Sequence, residues 1–277
     1  MEVNGYKIEP GADLEGVNLN DADLEGADLT GAKLDGANLN RANLKGANLY
    51  NASLYGAPET TWLYEANLEG ANLNNTLLNG ARFNGANLSK TEISGHCNGV
   101  DFYDANLTEA NLRNTEFIYT NFTRADLTRA DLTEALLSDA NLTDANLNRA
   151  ILKLADLTGV EFYDANLTEA NLMEANLNRA LLKLADLTGA NLTGANLMEA
   201  TLMEANLNRA NLKGANLMAS ALHGANLHGA NLTGAWLEGA NLTDANLEGA
   251  GLTEADLRRA VWDKSTVWPE GFTPPEQ

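Results

Sequence analysis

The sequence predicts an all-β fold, a right-handed quadrilateral parallel β-helix of about 12 coils. Three observations support this prediction. A large apolar residue recurs every five residues over most of the chain, from Leu14 to Leu257. Alanine lies two residues before most of these central residues. Aromatic residues make up only 6% of the sequence, which indicates a narrow, uniform core of leucine and alanine.

A period of five residues fits neither an α-helix nor an ordinary strand. On a helix, steps of five residues rotate by about 140°, so the leucines would not share one face. On a strand they would alternate between the two faces. If five residues form one side of a coil, the central residue and the alanine both point inward. Four such sides close a coil of about 20 residues, and parallel stacking favours right-handed winding.

The remaining repeat positions have residue types suited to corners. Asparagine or aspartate precedes most central residues and can bond to the local backbone. Glycine often ends the repeat, as at Gly26 and Gly31, where it tolerates a tight turn. The motif Ala-(Asn/Asp)-Leu-x-x resembles the pentapeptide-repeat family, and the resemblance covers about residues 12–264. It implies a quadrilateral β-helix but no single function, because the family has many unrelated roles.

The predicted organisation is a single repeat domain over residues 1–277. Residues 1–11 form an N-terminal cap, residues 12–264 the repeats, and residues 265–277 a C-terminal cap and tail. Caps are expected because the open ends of a solenoid expose apolar core. Near the C-terminus the repeat gives way to aromatic residues, as in the tails of many cyanobacterial pentapeptide-repeat proteins: Trp262, Trp268 and Phe272.

The period fails at two places. Nine residues separate Leu54 from Leu63, and nine separate Ile93 from Phe102. Each gap has two explanations, a side shortened by one residue or four residues extruded as a loop.

Turn-forming residues in the two gaps favour loops near residues 57–60 and 96–99, because Pro58, Gly95 and Gly99 lie there. Loops on a rigid scaffold often bind partners, whereas the alternative is a neutral insertion at a corner. The candidate interaction residues come from these gaps, from outward-facing tryptophans and from the C-terminal cap: Pro58, Glu59, Trp62, His96, Cys97, Trp236, Trp262, Trp268 and Phe272.

The composition argues against several functional classes. The formal net charge of −20 disfavours direct nucleic-acid binding and docking on anionic membranes. The single cysteine, Cys97, cannot form an internal disulfide, and no signal peptide or apolar membrane span is apparent, so we expect a cytoplasmic protein. One histidine beside one cysteine does not make a zinc site. No catalytic, cofactor-binding or metal-ligating residues are predicted.

The sequence therefore predicts a non-enzymatic structural or protein-interaction scaffold with an unidentified protein partner. The C-terminal aromatic cap could also support an end-to-end homodimer. An alternative function follows from the family resemblance, because its quinolone-resistance members are acidic DNA mimics that bind DNA gyrase or topoisomerase. This chain departs from those members, since it has no long extruded loops, only a weak charge skew and no apparent C-terminal dimer helix.

Overall fold

The computed structural model describes residues 1–56 and 60–276. The chain forms two compact units, Met1–Asn141 and Leu142–Gln277. Four strands longer than one residue are present in the described part: β1 (Glu2–Val3), β2 (Tyr6–Lys7), β3 (Asn72–Asn74) and β4 (Glu92–Ser94). No helix occurs among the described residues.

Within each unit, single-residue parallel bridges join neighbouring coils at the residue before each central residue. Asn18 pairs with Asn38 in the first unit, and Asn206 pairs with Asn226 in the second. The amide of Leu207 donates to the Asn226 carbonyl at 2.7 Å, and the Asn226 amide donates to the Ala205 carbonyl at 2.9 Å. This pattern confirms the predicted parallel β-helix class, whereas the number of coils and the single-domain organisation stay predictions.

Each side ends in a tight turn with one left-handed residue. The Ala205 amide donates to the Leu202 carbonyl at 3.1 Å, and Glu204 within this turn has φ of 57°. Glycine is favoured at this position because it lacks the steric penalty of a left-handed L-residue. Two exposed leucines nevertheless occupy it, Leu154 with φ of 60° and Leu184 with φ of 64°.

The asparagines before the central residues form side-chain ladders along the sides. The side-chain nitrogen Nδ2 of Asn226 donates to Asn206 Oδ1 at 3.0 Å, and Nδ2 of Asn206 donates to Asp186 Oδ1 at 3.2 Å. Asn206 Oδ1 also accepts the backbone N–H of Asn208. One side chain therefore stabilises both its own turn and the stacking of adjacent coils.

The core contains the predicted leucines and alanines, nearly all of them fully buried. One column of the first unit holds phenylalanines in place of leucines. Phe102 stacks on Phe83 and Phe122, with ring centroids 5.2 and 5.1 Å apart. Phe117 from the adjacent side meets Phe122 edge-on at 5.2 Å. These ring contacts add to the packing of the core beneath this side.

The first break in the repeat lengthens a coil. Asn43 bonds to Asn67 across 24 residues, four more than the spacing of 20 found elsewhere. The added residues lie between Leu54 and Trp62, since Trp62 resumes the pairing with Asn38.

The second break shortens a coil, so the prediction of an extruded loop near residues 96–99 was wrong. Asn87 bonds to Asn106 across 19 residues, because one side between Ile93 and Phe102 lacks a residue. Cys97 occupies a central position, with none of its surface exposed, and its amide donates to the Glu116 carbonyl at 2.8 Å. Cysteine is small and apolar enough to fill a leucine position in a shortened side.

Two buried threonines donate hydrogen bonds to backbone carbonyls around this shortened side. Thr115 donates its hydroxyl to the Ile93 carbonyl at 2.9 Å, and Thr120 donates to the Cys97 carbonyl at 2.8 Å. Both replace an inward-facing alanine of the repeat. Within the described residues, the Cys97 carbonyl accepts no other hydrogen bond, so the Thr120 hydroxyl satisfies an acceptor that is buried in the core.

The two ends have different caps. At the N-terminus β1 and β2 pair antiparallel, and Ile8 beside them is buried. At the C-terminus Trp262 and Trp268 take the positions of the last central residues, with ring centroids 5.6 Å apart and perpendicular rings. Both tryptophans are half-buried, and their capping role stays a prediction.

Replacing Leu154 by glycine should stabilise the protein. The left-handed backbone costs a leucine about 1–2 kcal/mol, whereas glycine loses roughly 0.5–1 kcal/mol more conformational entropy on folding. We expect the L154G variant to be more stable by about 0.5–1 kcal/mol in urea denaturation. Leu152→Gly is the matched control two residues away, and its loss of a buried side chain should cost at least about 3 kcal/mol. A destabilised L154G would contradict the strain argument.

Removing the Thr120 hydroxyl should destabilise the first unit. In Thr120→Val the shape is kept but the Cys97 carbonyl loses its donor, which should cost about 1–3 kcal/mol. Thr120→Ser keeps the hydroxyl and should lose less than Thr120→Val in the same denaturation experiment. Equal stability of the valine variant and the wild type would show that the hydrogen bond contributes nothing.

Candidate interaction surface

The asparagine ladder is interrupted on the side of the first unit that lies above the phenylalanine column. The paired residues along this side begin with Asn18 and Asn38 and end with Asn121 and Asn141. Between them two consecutive ladder positions hold Trp62 and Arg82. Asp101 resumes the ladder in the next coil, where its Oδ1 accepts from the Asn121 side-chain amide at 2.8 Å. Another side of the unit lacks the ladder over more coils, at Ser53, Leu77, His96 and Glu116. The side above the phenylalanine column differs in combining a tryptophan with an arginine.

The neighbouring outward positions on the same three coils are also unusual. Tyr64, Asn84 and Tyr103 follow one another from coil to coil, since the Gly85 amide bonds to the Tyr103 carbonyl at 2.9 Å. We define the aromatic patch as these two rows of three side chains: Trp62, Tyr64, Arg82, Asn84, Asp101 and Tyr103.

Trp62 is the exposed anchor of the aromatic patch, with 37% of its surface accessible. Its ring meets Tyr64 edge-on, with centroids 5.2 Å apart and an interplanar angle of 80°. At the other end of the patch, the Arg124 guanidinium lies 5.6 Å from the centre of the Tyr103 ring. These contacts hold the aromatic rings in fixed orientations on a flat sheet.

Asp101 links the polar side chains of the patch. Its Oδ2 accepts from Arg82 at 3.2 Å and from the Asn84 amide nitrogen at 3.0 Å. This orientation leaves Asn84 Oδ1 as the one buried side-chain nitrogen or oxygen without a hydrogen-bond partner in the described part of the chain. An acceptor that is buried without a donor is destabilising.

The composition of the aromatic patch is that of a protein interface. Tryptophan, tyrosine and arginine are the residue types enriched in interface hot spots. Arg82 and Asp101 balance each other, so the patch is neutral on a chain with a net charge of −20. The patch also follows directly on the four-residue lengthening, because Trp62 is the first residue to resume regular pairing.

The structure separates the predicted interaction residues. Pro58 and Glu59 lie outside the described residues. His96 is exposed and its Nδ1 lies 2.6 Å from Glu116 Oε2. Cys97 is fully buried, and burial raises the pKa of its thiol far above the usual range, so the expectation of an accessible loop cysteine was wrong.

Trp236 is the most exposed tryptophan, with 54% of its surface accessible. It lies in the second unit between Asn216 and Asp256 along its side. Sequence reasoning found Trp62 and Trp236 but missed Tyr64, Arg82 and Asn84. For Arg82 the signal is the absence of asparagine or aspartate from a ladder position, whereas Tyr64 and Asn84 lie at other outward positions and carry no such signal.

The predicted C-terminal residues do come together. Trp268 stacks on Phe272 at 5.3 Å and meets Trp262 edge-on. Beside this cluster lies a groove of about 390 Å³, lined by the last coil and the tail: Ala250, Gly251, Leu252, Thr253, Pro269, Glu270, Gly271 and Phe272.

Neither metal-binding clusters nor membrane-spanning helices are found where the structure describes the chain. No group of three or more histidine, cysteine, aspartate or glutamate side chains there could hold a metal ion. No helix in that part is long and apolar enough to cross a membrane.

Comparisons with known proteins agree with the fold. The family profile described as pentapeptide repeats matches residues 11–57 and 63–261. Among solved structures, the chain is similar to HetL, a pentapeptide repeat protein involved in heterocyst differentiation regulation from the cyanobacterium Nostoc sp. strain PCC 7120. The identity is 35%, the match covers 79% of this chain and 92% of HetL, and the TM-score is 0.62.

Two further structures have lower TM-scores and support no argument about function. A pentapeptide repeat protein from Nostoc PCC 7120, alr5209, is 41% identical over 35% of this chain and 77% of its own, with a TM-score of 0.31. QnrB1, a plasmid-mediated fluoroquinolone resistance protein, is 21% identical over 72% of this chain and 91% of its own, with a TM-score of 0.31. A comparison with curated protein sequences finds no match. On the five-residue repeat, the family profile and the HetL likeness, the chain belongs to the pentapeptide-repeat family of right-handed quadrilateral β-helices.

Proposed function

We propose that this protein is a non-enzymatic, cytoplasmic interaction scaffold whose partner protein binds at the aromatic patch. The observation that carries the proposal is the replacement of the asparagine ladder by Trp62 and Arg82 in consecutive coils. A ladder residue stabilises stacking, whereas Trp62 and Arg82 present an indole ring and a guanidinium group to solvent. Exposed groups of this kind in two consecutive coils favour a role in binding.

The energetics of the patch support a protein partner. A partner that covers Trp62 would bury an aromatic surface already held by Tyr64, so little side-chain entropy is lost on binding. A partner that inserts a hydrogen-bond donor after a small shift of Tyr64 or Asn84 could satisfy the orphaned Asn84 Oδ1. The neutral patch also avoids the repulsion that the acidic remainder of the surface imposes on an acidic protein.

The surface charges give less support to a DNA mimic. Such a mimic needs a continuous acidic stripe, but arginines alternate with acidic residues at the corners and pair across adjacent coils. The ion pairs have N–O distances between 2.7 and 3.5 Å: Arg41–Asp21, Arg124–Asp104, Arg129–Glu109, Arg149–Glu169 and Arg179–Glu199. Each pair neutralises part of the acidic surface.

Site-specific photo-crosslinking tests the proposed interface. A photo-reactive phenylalanine derivative in place of Trp62 should capture a discrete partner in the native cell, whereas the same derivative in place of Trp236 should not. With the captured partner purified, Trp62→Ala should weaken binding by about 30-fold, the equivalent of about 2 kcal/mol for a hot-spot residue. Trp236→Ala is the matched control and should bind normally. Weakened binding by the Trp236 variant alone would place the interface elsewhere.

A supercoiling assay separates the scaffold from the DNA mimic. Because the acidic surface is interrupted by paired arginines, we expect the protein at micromolar concentration to leave the activity of DNA gyrase unchanged. Salt titration is the control, since any electrostatic effect should fade as ionic strength rises. Salt-sensitive inhibition or protection of gyrase would contradict this expectation.

A further inference from the structure

The last coil leaves backbone groups unpaired that are paired in the coil before it. In that earlier coil the Leu232 amide donates to the Gly251 carbonyl at 2.8 Å, and the Ala230 carbonyl accepts from the Gly251 amide at 2.9 Å. One coil later, the equivalent groups are the Leu252 amide and the Ala250 carbonyl. Neither has a hydrogen-bond partner among the described residues, so this side ends in an open parallel edge.

The corner that follows also has an unpaired backbone amide. The Gly234 amide donates to the Thr253 carbonyl at 2.9 Å, but the equivalent amide of Glu254 has no partner within the residues that the structure describes. Unpaired donors and acceptors in register form a template for another strand. The spacing of the template is that of the repeat itself.

The tail passes beside this edge without pairing with it. Val267 still pairs with Asn246, after which the chain turns, with the Phe272 amide bonded to the Pro269 carbonyl at 3.0 Å. The groove of about 390 Å³ lies between residues 250–253 and residues 269–272. Leu252 is 9% exposed, so its side chain gives the groove a small apolar surface beside the open edge.

We propose that this groove binds an extended segment of a partner protein, which adds to the last coil as a parallel strand. The register follows from the earlier coils. One residue of the segment donates its N–H to the Ala250 carbonyl and accepts from the Leu252 amide, and a carbonyl two residues later accepts from the Glu254 amide. Recognition by backbone hydrogen bonds with a side chain in an apolar pocket is the usual mode of strand addition.

The groove also selects the side chains of the segment. The residue between the two bonded positions points inward, towards Leu252 and Phe272, so it is apolar. The residue that bonds Ala250 is not proline, because proline has no N–H. Glu270 lines the groove and Glu254 lies at its end, so the segment carries basic residues on either side of its apolar centre.

A second copy of this chain is a poor fit to the same groove. The edge of a second copy that would continue the parallel register is its first coil, and residues 9–30 contain acidic residues but neither lysine nor arginine. Glu254 and Glu270 would repel such an edge. Strand addition at this groove does not depend on the aromatic patch, so it can succeed or fail separately from the interface at Trp62.

Amide hydrogen exchange measured by NMR tests the proposal directly. The probe is the hexapeptide Lys-Ala-Asn-Leu-Thr-Lys, joined to Gln277 of the full chain by a flexible Gly-Ser linker that keeps it at millimolar effective concentration. The amides of Leu252 and Glu254 should exchange rapidly in the untethered protein and at least tenfold more slowly in the fusion. The amides of Leu232 and Gly234 should exchange slowly in both proteins.

A fusion with proline in place of the asparagine of the probe is the matched control, and it should give no protection. Equal protection by the two fusions, or no protection by either, would overturn the proposal. Protection that appears in the untethered protein only as its concentration rises would assign the groove to a second copy, as in an end-to-end homodimer, and would also overturn it. The Trp62→Ala variant of the fusion should retain protection, which separates this groove from the aromatic patch.

Discussion

The whole structure depends on the register of backbone hydrogen bonds between one coil and the next. Each side contributes one central amide and one alanine carbonyl to the coil that follows, as Leu207 and Ala205 do towards Asn226. Because these groups are buried beside an apolar core, an offset of one residue would leave them unpaired and turn leucines outward. Side-chain ladders, corners and core columns all repeat because this register repeats.

Departures from the repeat must therefore leave the register intact beyond them. The lengthened coil does so by adding its four residues between Leu54 and Trp62, after which pairing resumes with Asn38. The shortened coil keeps the register by placing Cys97 at a central position, and Thr115 and Thr120 supply donors for the carbonyls beside it. The lengthened coil uses the same device, because Thr61 replaces an alanine and its hydroxyl accepts from the Gly36 amide at 3.0 Å and donates to the Tyr55 carbonyl at 3.1 Å.

The fold could be predicted from the sequence because a period of five residues has one consistent geometry. The two breaks could not be told apart in the same way, since both are gaps of nine residues. The difference depends on whether a residue inside the gap can fill the core, and Cys97 can although it is not a typical central residue. The aromatic patch was only partly predicted, because Trp62 stands out in the sequence while Arg82 and Asn84 gain meaning only from their neighbours one coil away. The open edge at Leu252 follows from the path of the tail after Val267, which no local pattern indicates.

The left-handed residue at each corner has a consequence for how such a chain can evolve. Among the left-handed residues that the structure describes, aspartate, glutamate, arginine, asparagine and glycine recur, but valine, isoleucine and threonine do not occur. A branched β-carbon is severely strained in that conformation. Threonine is common one residue earlier in the repeat, as at Thr108 and Thr168, so the exclusion concerns the corner position alone. A copied or inserted repeat that placed a β-branched residue at a corner would therefore be strained, whatever its effect on surface charge or binding. This strain would arise at the corners of any coil.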